Sequence, residues 1–337
     1  MRASTAFHLL CVSSLAAFAM ACGGSSPEGL AGTDAGAAPP GTSGPEVVAT
    51  PDVDGGTDDD SCKKMDFIFV VDDSGSMAEE QRNLGSNFPR FVEAIEAYRT
   101  KSGDPLDYRL AVTTTGITHT REIPPPVGFP FPIPAQTIAE RGADGAFQMK
   151  SACGMTRRWL QRGDANVAAN FACIAKVGTS GPAFEMPLEG MKRALVDRVS
   201  DNTNAGFLRE DALLAVVFLT DEDDCSTPRA AFTANDDSCV PPPPGLVSIA
   251  TYMGVLDTVK GGGSAGRSRW ASAVIAGERD CDSAFGSART ATRMGEFVTQ
   301  SGPNAVFSSI CSGDLAGGLT AALNGFKAAC QNFQPPR

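Results

Sequence analysis

The chain has 337 residues, with 28 basic and 39 acidic side chains, a formal net charge of −11 and 42% apolar residues. An acidic balance of this size argues against nucleic acid and against anionic membrane surfaces as partners. Its length beyond the first sixty residues suits one domain carrying long loops.

Arg2 precedes residues 6–21 (AFHLLCVSSLAAFAMA), a short, almost uncharged apolar run that ends in small residues. The run is too short to span a bilayer comfortably, and residues 1–21 read as a signal peptide. Ala19-Met20-Ala21-Cys22 followed by Gly-Gly-Ser-Ser resembles a bacterial lipobox, although the usual Leu is missing and Met20 stands where a small residue is usual. That resemblance implies lipidation of Cys22, and two acyl signals would anchor the chain stably. The alternative is ordinary cleavage nearby, with Cys22 lost or free. The rest of the stretch from Cys22 to residue 61 is almost all Gly, Ala, Ser, Thr, Pro and Asp, with eight acids and no Lys or Arg. It cannot bury enough apolar surface to order itself. As a coil it reaches roughly 35 Å, a tether between membrane and folded domain.

Lys64-Met65-Asp66 leads into Phe67–Val71, a continuous apolar run of the kind buried on both faces of a parallel sheet. Leu84, Phe88, Phe91, Ile95 and Tyr98 then recur at helical spacing, with Pro89 expected to start, kink or split that helix. Tyr108–Thr115 reads as a strand, 183–197 as a helix and Leu213–Leu219 as a second fully buried strand. Helix 246–260, strand 271–276, helix 287–300, a short strand at 305–307 and a last helix over 313–329 complete the pattern. Strands alternating with helices predict an α/β fold: a doubly wound, Rossmann-like, mostly parallel sheet with helices on both faces. Ligands of such folds bind beyond the carboxyl ends of the strands.

The first strand runs into Asp72-Asp73-Ser74-Gly75-Ser76, and Leu213–Leu219 runs into Thr220-Asp221-Glu222-Asp223-Asp224. Between them, Gly178-Thr179-Ser180-Gly181 precedes a helix. A buried strand entering D-x-S-x-S, a Thr in a Gly-rich loop and a T-D at the end of the central strand resemble the metal-ion-dependent adhesion site of von Willebrand factor A (VWA) domains. The resemblance covers about residues 62–333, departing at Glu222, where the family usually has Gly, and in the long 116–178 loop. It implies a divalent cation, Mg²⁺ or else Mn²⁺ or Ca²⁺, held by Ser74, Ser76 and Thr179 with Asp72 and Asp221 in or behind the first shell. It also implies a protein partner whose acidic side chain completes the shell. Oxygen donors of this kind suit hard cations in their own right. The plainer readings are a turn for Asp72–Ser76 and a helix cap for Ser76; Ser180 takes the role of Thr179 if the loop shifts by one residue, and Asp221–Asp224 reads as a solvated loop in preference to a second cation site.

Eight cysteines lie beyond the export segment, an even number that implies disulfides in an exported chain. In the fold so implied the termini lie close, which pairs Cys62 with Cys330. Cys153–Cys173 and Cys225–Cys239 each flank one loop, and Cys281 and Cys311 follow neighbouring strands. Zinc is disfavoured, because no CxxC occurs and His119 is the one histidine outside the export segment. His119, the sole candidate base for Ser74 or Ser76, reads as a solvated loop residue. No nucleophile elbow, phosphate loop or H-E-x-x-H is present. The expected function is therefore a binding or adhesion module, not an enzyme, lipid-anchored to the bacterial envelope at the outer membrane or cell surface. The membrane is touched only through the lipid. The alternatives are a metal-dependent hydrolase or a surface module with a vestigial site. Residues 116–152, rich in Pro and holding Phe129, Phe131 and Phe147, read as a structureless recognition loop or as a cover over the sheet edge.

Overall fold

The computed structural model describes residues 62–100, 102–125, 128, 134–233, 245–283 and 286–336, all within one compact unit, Thr57–Arg337. Cys22, the tether, Phe129, Phe131 and Cys239 lie outside the described residues. The first half contains β1 (Lys64–Val71), α1 (Ala78–Ala97), β2 (Asp107–Thr114), β3 (His119–Ile123), β4 (Gln136–Glu140), β5 (Leu160–Gln161) and α2 (Val167–Ile174). Helix α3 (Pro187–Lys192) runs on through a π-turn at Arg193–Asp197 into α4 (Arg198–Ser200). Then come β6 (Leu213–Leu219), β7 (Ala231–Thr233), α5 (Ile249–Val259), α6 (Gly263–Arg267) and β8 (Trp270–Ala276). The short strands β9 (Cys281–Ser283) and β10 (Gly286–Ala288) lead to α7 (Thr292–Ser301), β11 (Ala305–Ser309) and α8 (Leu315–Cys330).

The main sheet has the order β11-β8-β6-β1-β2-β5. Every pair in it is parallel except the short edge pair β2–β5. Strand β1 is buried on both faces, and its side chains divide by the period of two. Phe67, Phe69 and Val71 enter one core with Leu84, Phe88 and Phe91 of α1, Phe171 of α2 and Phe326 of α8. Ile68 and Val70 enter the other with residues of α3, α5 and α7, among them Leu188, Leu256 and Phe297. Phe69 meets Phe88, Phe91 and Phe171 edge-on at centroid separations of 5.5, 5.3 and 4.9 Å. Truncating Phe69 to Ala would cost about 3–5 kcal/mol, since its neighbours cannot all collapse onto the hole. The chain is thus α/β with a mostly parallel six-stranded sheet covered on both faces.

Several expectations are corrected. Pro89 neither starts nor splits a helix: it lies inside one continuous α1. The helix expected over 183–197 begins only at Pro187, at N1, where proline's missing N–H goes unneeded. Ahead of it, Glu185 bridges to Gly116 as extended chain. Likewise 287–300 is not helical throughout, because Gly286–Ala288 pairs with β9 and α7 starts at Thr292. Nor is 116–152 structureless. It supplies β3 and β4, which with β7 make a second sheet of order β4-β3-β7. Under that sheet Ile117, Phe184, Met186 and Phe232 form a small core. Phe147 leaves the loop altogether and packs against Phe207 in the main core.

Cys62–Cys330, Cys153–Cys173 and Cys281–Cys311 are disulfides, with Cα separations of 5.3, 5.6 and 5.9 Å. Cys225 is also disulfide-bonded; Cys239, its expected partner, is outside the described residues. Disulfides of this number mark an oxidising, extracytoplasmic compartment. Among the described residues no helix is long and apolar enough to cross a membrane.

Candidate functional site

Strands β1 and β6 are parallel neighbours in register, Val71 beside Leu219, so the residues after them emerge side by side. The Asp72 amide donates to Leu219 O at 2.9 Å, carrying the pairing one step past the strand. Asp72 is fully buried. Its Oδ1 accepts from the Ser74 amide at 2.8 Å and the Thr115 hydroxyl at 3.4 Å, and its Oδ2 accepts from the Thr220 hydroxyl at 2.7 Å. Donors from the ends of three adjacent strands therefore converge on one carboxylate. The Asp72–Ser74 bond is a local Asx-type turn, which is why Asp and Ser at this spacing turn the chain tightly. It brings the Ser74 and Ser76 hydroxyls to 2.9 Å from each other. Neither hydroxyl caps the helical segment that follows, so the expectation that Ser76 caps a helix is not met.

Thr179 is exposed, on a loop fastened at both ends to the same strand terminus. The Gln81 side-chain amide donates to Asp72 O at 2.8 Å and to Gly178 O at 2.5 Å, and its Oε1 accepts from the Gly178 amide at 3.1 Å. At the other end the Gly181 amide donates to Asp73 O at 2.8 Å. Gly181 must be glycine for this approach, since a Cβ there would lie 2.3 Å from Asp73 Cγ. Asp72, Ser74, Ser76 and Asp221 thus meet at the carboxyl ends of β1 and β6. Thr179 sits between two anchors to that place.

The electrostatics are one-sided. Burial, and then repulsion from Asp72, Glu222 and Glu80, pushes the Asp221 carboxyl up to about 8; the Ser76 hydroxyl acts in the opposite direction. Burial and the neighbouring Asp72 push Asp73 up to about 7. Asp72 is raised by burial, its hydrogen bonds opposing. Glu185, fully enclosed, is raised well above the carboxylate range by burial and by Asp72 and Glu222. One oxygen each of Asp73, Glu80, Glu185 and Asp221 is buried with no hydrogen-bond partner.

Gln81, Glu80 and Glu185 were not singled out from the sequence. Each lies on a helix or extended segment whose apolar pattern hides it, and only the tertiary fold turns it toward Asp72. The run Asp221–Asp224 is not a solvated loop. Asp223 accepts from the amides of Arg293 and Met294 at the start of α7, while Asp224 is fully buried in an ion pair with Arg293 at 3.1 Å. Nor is His119 a solvated loop residue. It is 3% exposed in β3, against the Phe232 ring, with Nδ1 2.9 Å from Ile117 O and Nε2 3.2 Å from Glu140 Oε2.

Ser76 and Asp221 open into a cleft of about 570 Å³ whose far wall is the β9–β10 hairpin. The Cys281–Cys311 disulfide ties that hairpin down, and the Arg289 amide donates to Asp221 O at 2.8 Å. Among the described residues no three His, Cys, Asp or Glu side chains are grouped to hold a metal by themselves. The donor set is mixed instead: neutral hydroxyls with two carboxylates. Orphaned buried carboxylate oxygens beside the buried Ser74 hydroxyl and the exposed Ser76 and Thr179 hydroxyls fit a hard divalent cation.

No family model and no curated protein sequence matches the chain. Among solved structures it is similar to proximal thread matrix protein 1 from the mussel byssus, at 12% identity and a TM-score of 0.38, over 78% of this chain and 48% of that one. It is also similar to the pilus adhesin SpaC from Lactobacillus rhamnosus GG in its open conformation, at 11% identity and a TM-score of 0.40, over 80% of this chain and 30% of that one. The chain therefore spans under half the length of either protein.

Proposed function

We propose that this chain is an extracytoplasmic binding module of VWA type, lipid-anchored at Cys22 to the cell envelope, which grips a protein partner through a divalent cation. Ser74, Ser76 and Thr179 would hold Mg²⁺, or Mn²⁺ or Ca²⁺, by neutral hydroxyls, with Asp72 and Asp221 as the carboxylates in or behind them. Bound there, the cation would supply an open coordination position for an acidic side chain of the partner. The observation that carries this reading is the set of buried carboxylates around Asp72, which meets no Lys or Arg ion pair among the described residues, beside hydroxyls that cap nothing. A binding role is favoured over hydrolysis because the one histidine outside the export segment is enclosed in the second sheet, its ring nitrogens directed to Ile117 and Glu140.

Isothermal titration of the full chain with Mn²⁺ is expected to give about one site, lost in Asp72→Ala. Unchanged binding in that variant would sink the assignment. Capture of a carboxylate-bearing peptide in Mg²⁺ and its loss in chelator tests the partner half of the proposal.

A further inference from the structure

The cleft beside the candidate metal site has two chemically different ends. Its inner end is Ser76, Asp221 and the adjoining Glu222, and Asp221 Oδ1, on a side chain only 1% exposed, has no hydrogen-bond partner. Its outer wall is the β9–β10 hairpin, where Asp280 and Asp282 stand with one base, Arg289. Arg289 lies 3.7 Å from Asp280 with both side chains exposed, a weak, solvent-screened pair, so the wall sets two carboxylates against one base. Asp280 also accepts from the Thr290 amide at 2.8 Å and hydroxyl at 2.9 Å, bonds that hold the chain entering α7. Asp282, exposed, is met by a hydroxyl, Ser287 at 3.1 Å, and by no ion pair among the described residues. The wall does not give way easily. Gly286, at φ +126°, lets the hairpin pass directly over the Glu80 carboxylate, where a Cβ would overlap it, and the Cys281–Cys311 disulfide holds the other strand.

We infer that this cleft selects a bipolar partner segment, an acidic side chain for the inner end with a basic side chain close beside it for Asp282 on the outer wall. The inference rests on the cation-holding reading of the inner end and adds the chemistry of the partner to it. Its volume lies within the range that encloses a small ligand or a few residues of peptide. A second acid on the partner would face Asp280 and Asp282 at short range, and like charges brought together at an interface reject the wrong partner. The acidic outer wall therefore works by exclusion as much as by attraction.

The test uses the full chain loaded with Mn²⁺ and three peptides, Gly-Asp-Gly-Lys-Gly, Gly-Asp-Gly-Ser-Gly and Gly-Asp-Gly-Glu-Gly. Affinities are read from paramagnetic broadening of the peptide proton lines and from chemical-shift titration when metal is withheld. The lysine peptide is expected to bind about three- to fivefold tighter than the serine peptide, the scale of one exposed ion pair, with the glutamate peptide weakest. Asp282→Asn, which keeps the Ser287 hydrogen bond, should flatten the series and leave the serine peptide unchanged. A flat series in the unaltered protein, or one insensitive to Asp282→Asn, overturns the inference. Metal-dependent binding with a flat series would leave the cation reading standing and remove this one. A preference that survives chelation and still disappears in Asp282→Asn would do the reverse, and binding by no peptide would remove both.

Discussion

The two ends of β1 each bury an aspartate, and they treat it in opposite ways. Asp66, fully buried, accepts from the Arg209 amide at 2.7 Å and the Arg209 Nε at 2.8 Å, and the same guanidinium reaches Asp107 at 2.7 Å. Asp72, equally buried at the other end, receives only an amide and hydroxyls. Its surroundings add Asp73, Asp221 and Glu185 and no ion-paired base among the described residues. A short way along the chain Asp224 is paired again, with Arg293. Burial is shared, so the difference is in the countercharge. A buried carboxylate is costly unless paired, and this protein places arginine where the role is structural. Where the cost is left standing, a cation from outside has something to do.

The contrast can be broken from either side, beginning with the largest effect. Arg209→Met would leave Asp66 buried and uncompensated, and we expect a loss of about 3–5 kcal/mol in urea unfolding, with metal affinity unchanged. A loss below about 1 kcal/mol would mean that water reaches Asp66 and that the two ends differ less than described. Gln81→Leu would free the Gly178 loop from the Asp72 carbonyl. Supporting residues around a metal commonly matter by about 10–100-fold in affinity, and that drop in Mn²⁺ titration is the expected result. No change would mean that Thr179 is not a ligand. At pH 9, above the raised Asp221 pKa of about 8, Asp221→Asn removes one uncompensated charge, so in chelator the variant should there be more stable than the parent, by about 1 kcal/mol in thermal unfolding. A destabilised variant would indicate that the carboxylates are already compensated.

The pH dependence follows the same contrast. Asp221 and Asp73 hold their protons up to about 8 and about 7 in the fold, well above their values in the unfolded chain. The folded state thus binds more protons across that window, and the chelated protein should lose stability as pH rises from about 4 to about 8. Melting temperatures across this range should fall in chelator, less steeply in Asp221→Asn, and recover on addition of Mn²⁺ chiefly at the upper end.

The main sheet is largely legible in the sequence. Leu213–Leu219 is apolar at every position, a signal that no surface loop produces, and β6 has those bounds. Asp72, Ser74 and Ser76 could be read because one turn brings them together, and the bond between Asp72 and the Ser74 amide is a property of adjacent residues. What escaped depends on contacts distant in sequence. The hairpin β3–β4 is short and polar on one side, and β7 pairs with β3 across 111 residues, Thr120 beside Ala231, so no period marks them. His119 reads as solvated until Phe184 and Phe232 close over it. Gln81 is one polar residue on an otherwise ordinary helix face. Its bonds to Asp72 O and Gly178 O exist only once α1 is docked.

The Cys62–Cys330 disulfide joins the residue just ahead of β1 to the end of α8. It therefore decides how the domain bears tension. A pull between Cys62 and anything gripped at Ser74 or Ser76 runs lengthwise along β1, which is hydrogen-bonded to β2 on one side and β6 on the other. Because both points of attachment lie at the two ends of β1, its already extended backbone would take that tension directly, and the flanking ladders would hold the strand in place. Part of the load at Cys62 is also diverted through the sulfur bridge into α8, whose Leu319, Leu323 and Phe326 share a core with β1. Were Ser74 and Ser76 to grip a partner as proposed, the strand that positions them would also be the one that carries the load.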